Sequence, residues 1–250
     1  MKKGIVIQAR TGSSRLHNKI LLPFYGQERI IDILIRNIKE GYPQLPVILA
    51  TTTRAQDDVL ADVARQSGIQ CYRGEENNVL KRFIGAADEF GLDYIIRVCS
   101  DNPFLQVDTF ATLFEEAETD LADYIAYGFS NGRPTIKSHL GLFSELASVA
   151  ALRRIVELTQ DMYYLEHVTN YMYTHEREFN IRLLSLPYYL EGRTDLRFTL
   201  DTPDDFVLLR ELYAFWYERT DRTVKALLGL VESEPEYKER MLTNIAHNEK

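Results

Sequence analysis

The sequence has few cysteines and no long apolar run. Its 250 residues include only two cysteines, Cys71 and Cys99, which do not form a CxxC pair. A cysteine-based zinc site or redox pair is therefore not indicated, and both thiols are expected to be reduced. No stretch approaches the roughly 18 apolar residues that a membrane-spanning helix needs. The apolar run after residue 3 is also too short for a signal peptide. We expect a cytoplasmic protein that is not held in a membrane.

Positive charge is also in short supply. Lysine and arginine total 29 against 37 aspartate and glutamate residues, which gives a formal net charge of −8. Proteins that bind nucleic acids or anionic membranes usually present a broad basic surface, which a chain with an excess of acidic residues is not expected to have. We therefore expect neither as a partner. Any local cluster of cations would suit a small anionic ligand instead.

Two common phosphate-binding motifs are missing, and so are linkers. Neither GxxxxGK[ST] nor GxGxxG occurs, so a P-loop nucleotidase and a dinucleotide-binding unit are not supported. No repeat, low-complexity tract or Pro/Gly/Ser-rich linker divides the chain, and 45% of its residues are hydrophobic. We predict a single domain over residues 1–250 with an inserted lobe at about 123–191, where the pattern of elements loosens.

Strands and helices alternate regularly through the first half of the chain. Apolar runs and helical periodicity predict strands at 5–7, 47–51, 69–72 and 94–99 and helices at 29–40, 56–67 and 78–90. Such alternation predicts a three-layer α/β/α fold with a mostly parallel, Rossmann-like sheet. Ligands of these sheets bind at the carboxyl ends of the strands. Further on, we predict a strand ending at Leu200, a helix at 224–231 and a charged tail.

The first strand opens into a loop rich in cations and hydroxyl groups. After Ile7 the chain reads Gln8, Ala9, Arg10, Thr11, Gly12, Ser13, Ser14 and Arg15, with Lys19 a little further on. Guanidinium, ammonium, hydroxyl and backbone N–H donors together suit a polyanion such as a triphosphate. Composition alone leaves open the alternative that these residues are a solvated surface cluster.

This loop resembles the signature of the cytidylyltransferases that activate acidic sugars. These are relatives of the acylneuraminate and 3-deoxy-manno-octulosonate cytidylyltransferases, and the spore-coat polysaccharide branch is the most similar. The resemblance implies the fold of nucleotide-diphospho-sugar transferases. It also implies that CTP is bound by Gln8, Ala9, Arg10, Gly12, Ser13, Ser14, Arg15 and Lys19. The family usually has Pro-Gly where this chain has His17-Asn18.

Two carboxylates follow predicted strands. Considered by itself, Asp101 is typical of a turn residue, because Asn102-Pro103 follows it. Asp201 by itself is typical of a helix start, in which Thr202 caps the helix. The alternative is Mg²⁺ binding, because nucleotide-bound Mg²⁺ usually takes one or two carboxylates. Both segments resemble metal-binding motifs of the same family, although Ser100 stands where the family has glycine. The resemblance implies that Asp101 and Asp201 bind Mg²⁺ and that Ser100 contacts the nucleotide.

Other charged residues have weaker assignments. Arg73 and Arg82 lie in a stretch that resembles the family's nucleotide pocket, and we favour Arg73, since Arg82 could equally be an exposed helix charge. Asp57 and Asp58 are assigned to the start of a helix rather than to the metal. Arg133, Lys137 and His139 would suit an acidic acceptor, but a solvated loop explains them equally well.

The middle of the chain is rich in tyrosine. A long helical pattern begins near Asp161 and contains Glu166-His167-Val168-Thr169, which resembles a segment of the spore-coat branch. This segment could bind an acceptor or a metal, but we favour a structural or interface role. The family's members are typically dimers through this region, so a homodimer is expected.

Together these resemblances imply transfer of CMP from CTP to a sugar or related small acidic metabolite, with release of pyrophosphate. The reaction would serve surface polysaccharide or glycan precursor synthesis, with Arg10, Lys19, Asp101 and Asp201 as catalytic residues. Two alternatives remain open. One is a catalytically silent nucleotide-binding partner subunit. The other is a nucleotide-sugar-dependent glycosyltransferase, although Asp-x-Asp is absent at Ser100-Asp101-Asn102.

Overall fold

The computed structural model describes residues 1–13 and 15–248. The strands are β1 (Lys3–Gln8), β2 (Pro23–Tyr25), β3 (Glu28–Arg29), β4 (Val47–Thr52), β5 (Gln70–Gly74), β6 (Tyr94–Cys99), β7 (Tyr124–Gly128), β8 (Glu145–Ser148) and β9 (Ile181–Ser185). The helices are α1 (Ile30–Gly41), α2 (Asp58–Ser67), α3 (Val79–Phe90), α4 (Phe110–Asp120), α5 (Val149–Leu158), α6 (Met162–Glu166), α7 (Asn170–Thr174), α8 (Pro203–Tyr217), α9 (Val224–Ser233) and α10 (Pro235–His247).

A mostly parallel sheet forms the centre of the molecule. Its seven strands lie in the order β5-β4-β1-β6-β8-β7-β9. Strand β1 pairs in parallel with both β4 and β6, and within this sheet β8 runs antiparallel to its neighbours. Strands β2 and β3 form a separate antiparallel pair. The predicted mostly parallel α/β fold is confirmed.

Side chains of the sheet alternate between two hydrophobic cores, as the two-residue period of a strand requires. On β1, Ile5 and Ile7 belong to one core and Val6 to the other. Helices α1, α2, α4, α8, α9 and α10 cover the first face, whereas α3, α5, α6 and α7 cover the second. The three-layer arrangement leaves the carboxyl ends of the strands open.

Local sequence explains the start of α8. Thr202 Oγ1 accepts a hydrogen bond from Asp205 N, and the Asp205 carboxylate accepts one from Thr202 N, which together make a capping box. Pro203 occupies the first helical position, where its missing N–H costs nothing. The predicted helix start is confirmed, and it fixes the backbone next to Asp201.

The predicted strand ending at Leu200 is wrong. Residues 196–200 belong to no strand. Their backbone bonds go to isolated loop residues: Phe198 N donates to His139 O at 2.9 Å, and Leu200 N donates to Asp101 O at 2.9 Å. Because no strand lies alongside, these bonds do not form a ladder. They do place Asp201 beside Asp101.

One helix prediction and the prediction of a charged tail also fail. The long helix expected from Asp161 is broken into α6 and α7, because Val168 adopts a positive φ of 22° between them. The expected charged tail is largely helix α10, since Tyr237 and Met241 pack into the core from positions four residues apart. Their apolar spacing is hidden among charged residues.

Residues 123–191, predicted as an inserted lobe, contribute β7, β8 and β9 to the main sheet. The same stretch provides α6 and α7, which lie near the carboxyl end of β1. No helix within the described ranges is long and apolar enough to cross a membrane.

Candidate active site

A cavity of about 610 Å³ opens at the carboxyl ends of β1 and β6. Its volume is within the range of small-molecule sites. One half of its wall carries residues that the sequence singles out: Gln8, Arg10, Gly12, Ser13, Arg15, Lys19, Ser100, Asp101 and Asp201. We call this the phosphate half. Ser14, also predicted to bind the nucleotide, lies outside the described residues.

Lys19 lies between the two predicted metal-binding carboxylates. Its Nζ is 3.0 Å from Asp101 Oδ2 and 3.3 Å from Asp201 Oδ1, and it donates to Leu200 O at 2.7 Å. The two carboxylate oxygens are therefore no farther apart than the sum of the first two distances, about 6.3 Å. Burial alone would lower the pKa of Lys19, but the two carboxylates outweigh it and raise the pKa. Lys19 is thus a fixed cation.

The position of Lys19 depends on an unusual backbone conformation at Asn18. Asn18 has φ 54° and ψ 24°, in the left-handed region, and the 3₁₀ turn Lys19–Leu21 follows it directly. Asparagine tolerates this region better than most residues with a Cβ. Asn18 therefore reproduces the backbone freedom of the glycine that the family usually has here.

Asp201 is hydrogen-bonded to a buried ion pair formed by Arg197 and Asp205. Both are buried, and Arg197 donates through Nε and Nη2 to the two Asp205 oxygens at 2.7 Å each. Arg197 Nη2 also lies 3.3 Å from Asp201 Oδ2, and Asp201 N donates to Asp205 Oδ2 at 3.0 Å. Burial would raise the pKa of Asp205, but the Arg197 guanidinium overcomes this and lowers it. The charged pair therefore orients Asp201.

Asp57 fixes the start of the cation-rich loop. Its Oδ1 accepts hydrogen bonds from Thr11 N at 2.8 Å and Thr11 Oγ1 at 2.6 Å, and its Oδ2 accepts one from Thr52 Oγ1. Although burial acts to raise the pKa of Asp57, these donors lower it. Asp57 occupies the N-cap position of α2, as the assignment to the helix start predicts, but its side chain makes no capping bond to that helix. It joins the loop to β4 instead.

The two loop arginines have different partners. Arg10 Nη2 lies 3.3 Å from Glu166 Oε1 at the end of α6. Arg15 Nη1 donates to Asn248 Oδ1 at 2.9 Å, and its Nη2 is 3.6 Å from Asp201 Oδ1. Both side chains are partly exposed, so their guanidinium groups are accessible to an anionic ligand.

Some predicted residues do not line the cavity. Ala9 is buried behind the loop. Arg73 donates to Thr52 O and Arg54 O at 2.8 Å each. Arg82 is buried rather than exposed, and its Nη1 donates to Glu75 O at 2.7 Å. Burial, reinforced by the charge of Arg10, lowers the pKa of Arg82 to about 10.

The other half of the cavity wall, here called the acceptor half, is mostly uncharged or aromatic. It is lined by Arg97, Cys99, Lys137, Phe143, Tyr163, His167, Asn170 and Tyr173. Of the three basic residues expected here, Lys137 lines the cavity, with its Nζ 5.8 Å from the Tyr173 ring centre. His139 is buried, and its Nδ1 is 2.5 Å from Arg197 Nη1. Arg133 donates to Lys137 O.

Beneath the acceptor half, Glu145 organises a buried network. Glu145 Oε1 accepts hydrogen bonds from Arg97 Nη1 at 2.6 Å and Thr169 Oγ1 at 2.8 Å. Its Oε2 accepts one from Tyr124 OH at 2.6 Å. Arg97 Nη2 also donates to Gln8 Oε1 at 3.1 Å, which links the network to the phosphate half.

Comparison with known proteins agrees with this geometry. The cytidylyltransferase family matches residues 5–234 of the chain. The chain belongs to the cytidylyltransferase family. The resemblance inferred from the loop motif is thereby confirmed.

Two relatives of this cytidylyltransferase-family chain share nearly its full length. An uncharacterised protein of Methanocaldococcus jannaschii is 31% identical over 233 residues, which are 93% of this chain and 91% of that protein. The spore coat polysaccharide biosynthesis protein SpsF of Bacillus subtilis is 28% identical over 237 residues, covering 92% and 94%.

Solved structures show the same fold. A cytidylyltransferase from Leptospira borgpetersenii matches with a TM-score of 0.81 at 24% identity, over 95% of this chain and 96% of that one. A CMP:2-keto-3-deoxy-manno-octonic acid synthetase complexed with CTP matches with a TM-score of 0.61 at 18% identity, over 86% and 99%.

Sequence reasoning missed three residues of this cytidylyltransferase-family site: Arg97, Glu145 and Asn170. Arg97 could have been identified from the sequence, because it is the one charged residue within the otherwise apolar run 94–99. A charge in a buried strand must be paired, so a buried carboxylate partner was to be expected. Nothing local identifies that partner as Glu145.

Proposed function

We propose that the protein transfers CMP from CTP to a hydroxyl group of a sugar or related small acidic metabolite and releases pyrophosphate. The observation that carries this proposal is the meeting of Lys19, Asp101 and Asp201 in a cavity that Arg10 and Arg15 also line. These residue types match the needs of a metal-bound triphosphate.

The relatives support a role in surface polysaccharide or glycan precursor synthesis. One is named for spore coat polysaccharide biosynthesis, and another is a CMP-sugar acid synthetase complexed with CTP. Lys137 in the acceptor half would suit a negatively charged acceptor. We further propose that the protein works in the cytoplasm as a homodimer, as the family resemblance implies.

The chemistry follows from charge. Attack on the α-phosphorus crowds negative charge on the phosphoryl oxygens and on the leaving pyrophosphate, so catalysis is mainly positioning and charge stabilisation. Arg10, Arg15 and Lys19 would neutralise that charge from fixed positions. None of these three side chains needs to move a proton for this role.

Asp101 and Asp201 fit a Mg²⁺ ion. Two carboxylates with oxygens within about 6.3 Å of each other suit a hard cation that takes its remaining ligands from phosphate and water. Across the described ranges, no group of three or more His, Cys, Asp or Glu side chains forms a metal site by itself. When bound, Mg²⁺ would supply further neutralisation of the triphosphate charge.

The first experiment is a thermal-shift panel of the four ribonucleoside triphosphates, each with Mg²⁺. We expect CTP to raise the melting temperature most, because ligand binding to the folded state stabilises it. Acidic sugars are then tested as acceptors by pyrophosphate release from CTP. Binding of CTP without release across the panel would favour the silent partner subunit. Protection by UDP-sugars rather than CTP would favour a glycosyltransferase.

A further inference from the structure

The junction between α6 and α7, residues Glu166 to Thr169, makes polar contacts with both halves of the cavity. Glu166 Oε1 lies 3.3 Å from Arg10 Nη2 in the phosphate half. Thr169 Oγ1 donates to the buried Glu145 carboxylate at 2.8 Å beneath the acceptor half. Both ends of this short segment are therefore anchored by polar contacts.

The segment is also sterically strained. Val168 is fully buried and has a φ of 22°. A β-branched residue at positive φ is a genuine outlier, and such strain persists only where the surrounding structure enforces it. Strained positions of this kind concentrate at functional sites. The strained residue, Val168, directly follows His167.

His167 is exposed to the cavity and is the one histidine among its described lining residues. Its ring centre lies 4.7 Å from that of Tyr163. The ring nitrogens form no hydrogen bond with the described residues, unlike those of His139 and His175. A histidine held in a cleft with unused nitrogens can accept a proton from a bound molecule.

The groups around His167 favour the neutral imidazole. Burial in the cleft lowers the pKa of His167; Glu166 acts to raise it, and Arg97 on β6 lowers it further. Tyr163 faces the ring from α6, while Tyr173 and Lys137 share the cavity wall. The net effect is a pKa below the ordinary value, so His167 is an available base at neutral pH.

Other groups lining the cavity are poorly suited to that role. The carboxylates of Asp101 and Asp201 are both ion-paired with Lys19. The pKa of Lys19 is raised, and burial raises the pKa of the Tyr173 phenol as well. Both therefore keep their protons at neutral pH.

We propose that His167 is the general base that takes the proton from the acceptor hydroxyl. This inference rests on the proposed function. As the acceptor oxygen bonds to the α-phosphorus, its proton moves to a free nitrogen of His167. The bond from the α-phosphorus to the bridging oxygen breaks, and pyrophosphate leaves with that electron pair. The imidazolium then returns its proton to water.

The test compares wild type with His167→Asn, and uses His175→Asn as the matched control. His175 lies in the same region but stacks on Tyr171 outside the cavity wall. Pyrophosphate release is measured from CTP·Mg²⁺ with the acceptor that gives the fastest release in the panel. We expect His167→Asn to lower kcat by about 10²-fold or more without weakening CTP binding, because general-base catalysis contributes that much. His175→Asn should behave as wild type.

The pH profile separates a base from a structural residue. Wild-type activity should fall as the pH drops through the pKa of His167, and His167→Asn should lose this acid limb. Glu166→Gln should shift the limb to lower pH, because Glu166 raises that pKa. Added imidazole should partly restore the activity of His167→Ala.

An NMR titration of the histidines in the free protein provides a readout without turnover. A His167 pKa above about 7 would overturn the proposal, since the ring would then be protonated at working pH. An unchanged acid limb in His167→Asn would also overturn it, while leaving CMP transfer intact. If wild type binds CTP but no acceptor supports release, the proposed function fails first and the role of His167 fails with it.

Discussion

Two buried carboxylates that support opposite halves of the cavity, Asp205 and Glu145, have partners at very different distances along the chain. Asp205, behind the phosphate half, accepts hydrogen bonds mainly from Arg197, Asp201 and Thr202, all within eight residues of it. Glu145, beneath the acceptor half, binds Arg97 from 48 residues away. The support behind Asp201 is therefore built mostly from local sequence, whereas the network beneath the acceptor half is built from tertiary contacts.

The largest expected effect tests the phosphate half. In Asp101→Asn, the loss of one of the two carboxylates facing Lys19 should lower the rate of pyrophosphate release at least about 10²- to 10³-fold, because fixed charges at a reacting phosphate contribute on that scale. Stability should change little, since Asp101 is partly exposed. Steady-state kinetics and thermal melts measure the two quantities. Asp108→Asn, on the exposed turn nearby, is the control and should be neutral.

This difference explains what the sequence could predict. Thr202, Pro203 and Asp205 form a contiguous capping box, so the start of α8 was predictable from spacing alone. Lys19 and Asp101 meet because both lie in segments that follow parallel strands, β1 and β6, a placement that alternation already predicts. The catalytic and metal-binding roles assigned to them stay predictions.

The buried network beneath the acceptor half could not be predicted from the sequence, because its contacts are long-range. Whether Glu145 is a buried anchor or a surface charge depends on β8 pairing antiparallel to β6, with Arg97 opposite Glu145. No short-range pattern encodes that register. The break at Val168 was equally hidden, since its positive φ is imposed by contacts around the segment rather than by a glycine.

The second prediction concerns the acceptor half. Glu145→Gln leaves the buried Arg97 guanidinium without an anionic partner, which should lower the free energy of unfolding by about 3 kcal/mol. Chemical denaturation measures this change. Glu116→Gln removes the partly exposed pair with Arg182 and should cost under about 1 kcal/mol. Equal losses in the two variants would contradict a dominant role for the buried network.

A third prediction tests the loop's attachment to β4. In Asp57→Asn, an NH₂ group replaces one of the two carboxylate oxygens, which accept hydrogen bonds from the Thr11 and Thr52 hydroxyls. One of these hydrogen bonds is then lost, so the loop should be held less firmly against β4. The loss of a hydrogen bond to a charged group should raise the Kd for CTP·Mg²⁺ about tenfold. Calorimetry measures the affinity. Asp62→Asn, on the exposed surface of α2, should leave the Kd unchanged.

The smallest effect is expected at Asn18. Asn18→Gly should preserve both CTP affinity and melting temperature, because glycine adopts the left-handed conformation freely. Asn18→Val should lose about 1 to 2 kcal/mol of stability, since a β-branched residue is strained there. Thermal melts measure the stability of the two variants, and calorimetry measures their affinity for CTP. Equal melting temperatures would mean that the left-handed conformation at residue 18 is not needed for stability.

Helix α10 begins at Pro235, just beyond residues 5–234, which match the cytidylyltransferase family. Even so, Asn244 Nδ2 donates to Asp205 at 3.0 Å, and Asn248, immediately after the helix, accepts a bond from Arg15 at 2.9 Å. A chain shortened to residue 234 would keep every recognisable motif and still lose both supports. Asp205 and Arg15 therefore depend for part of their support on a helix outside residues 5–234.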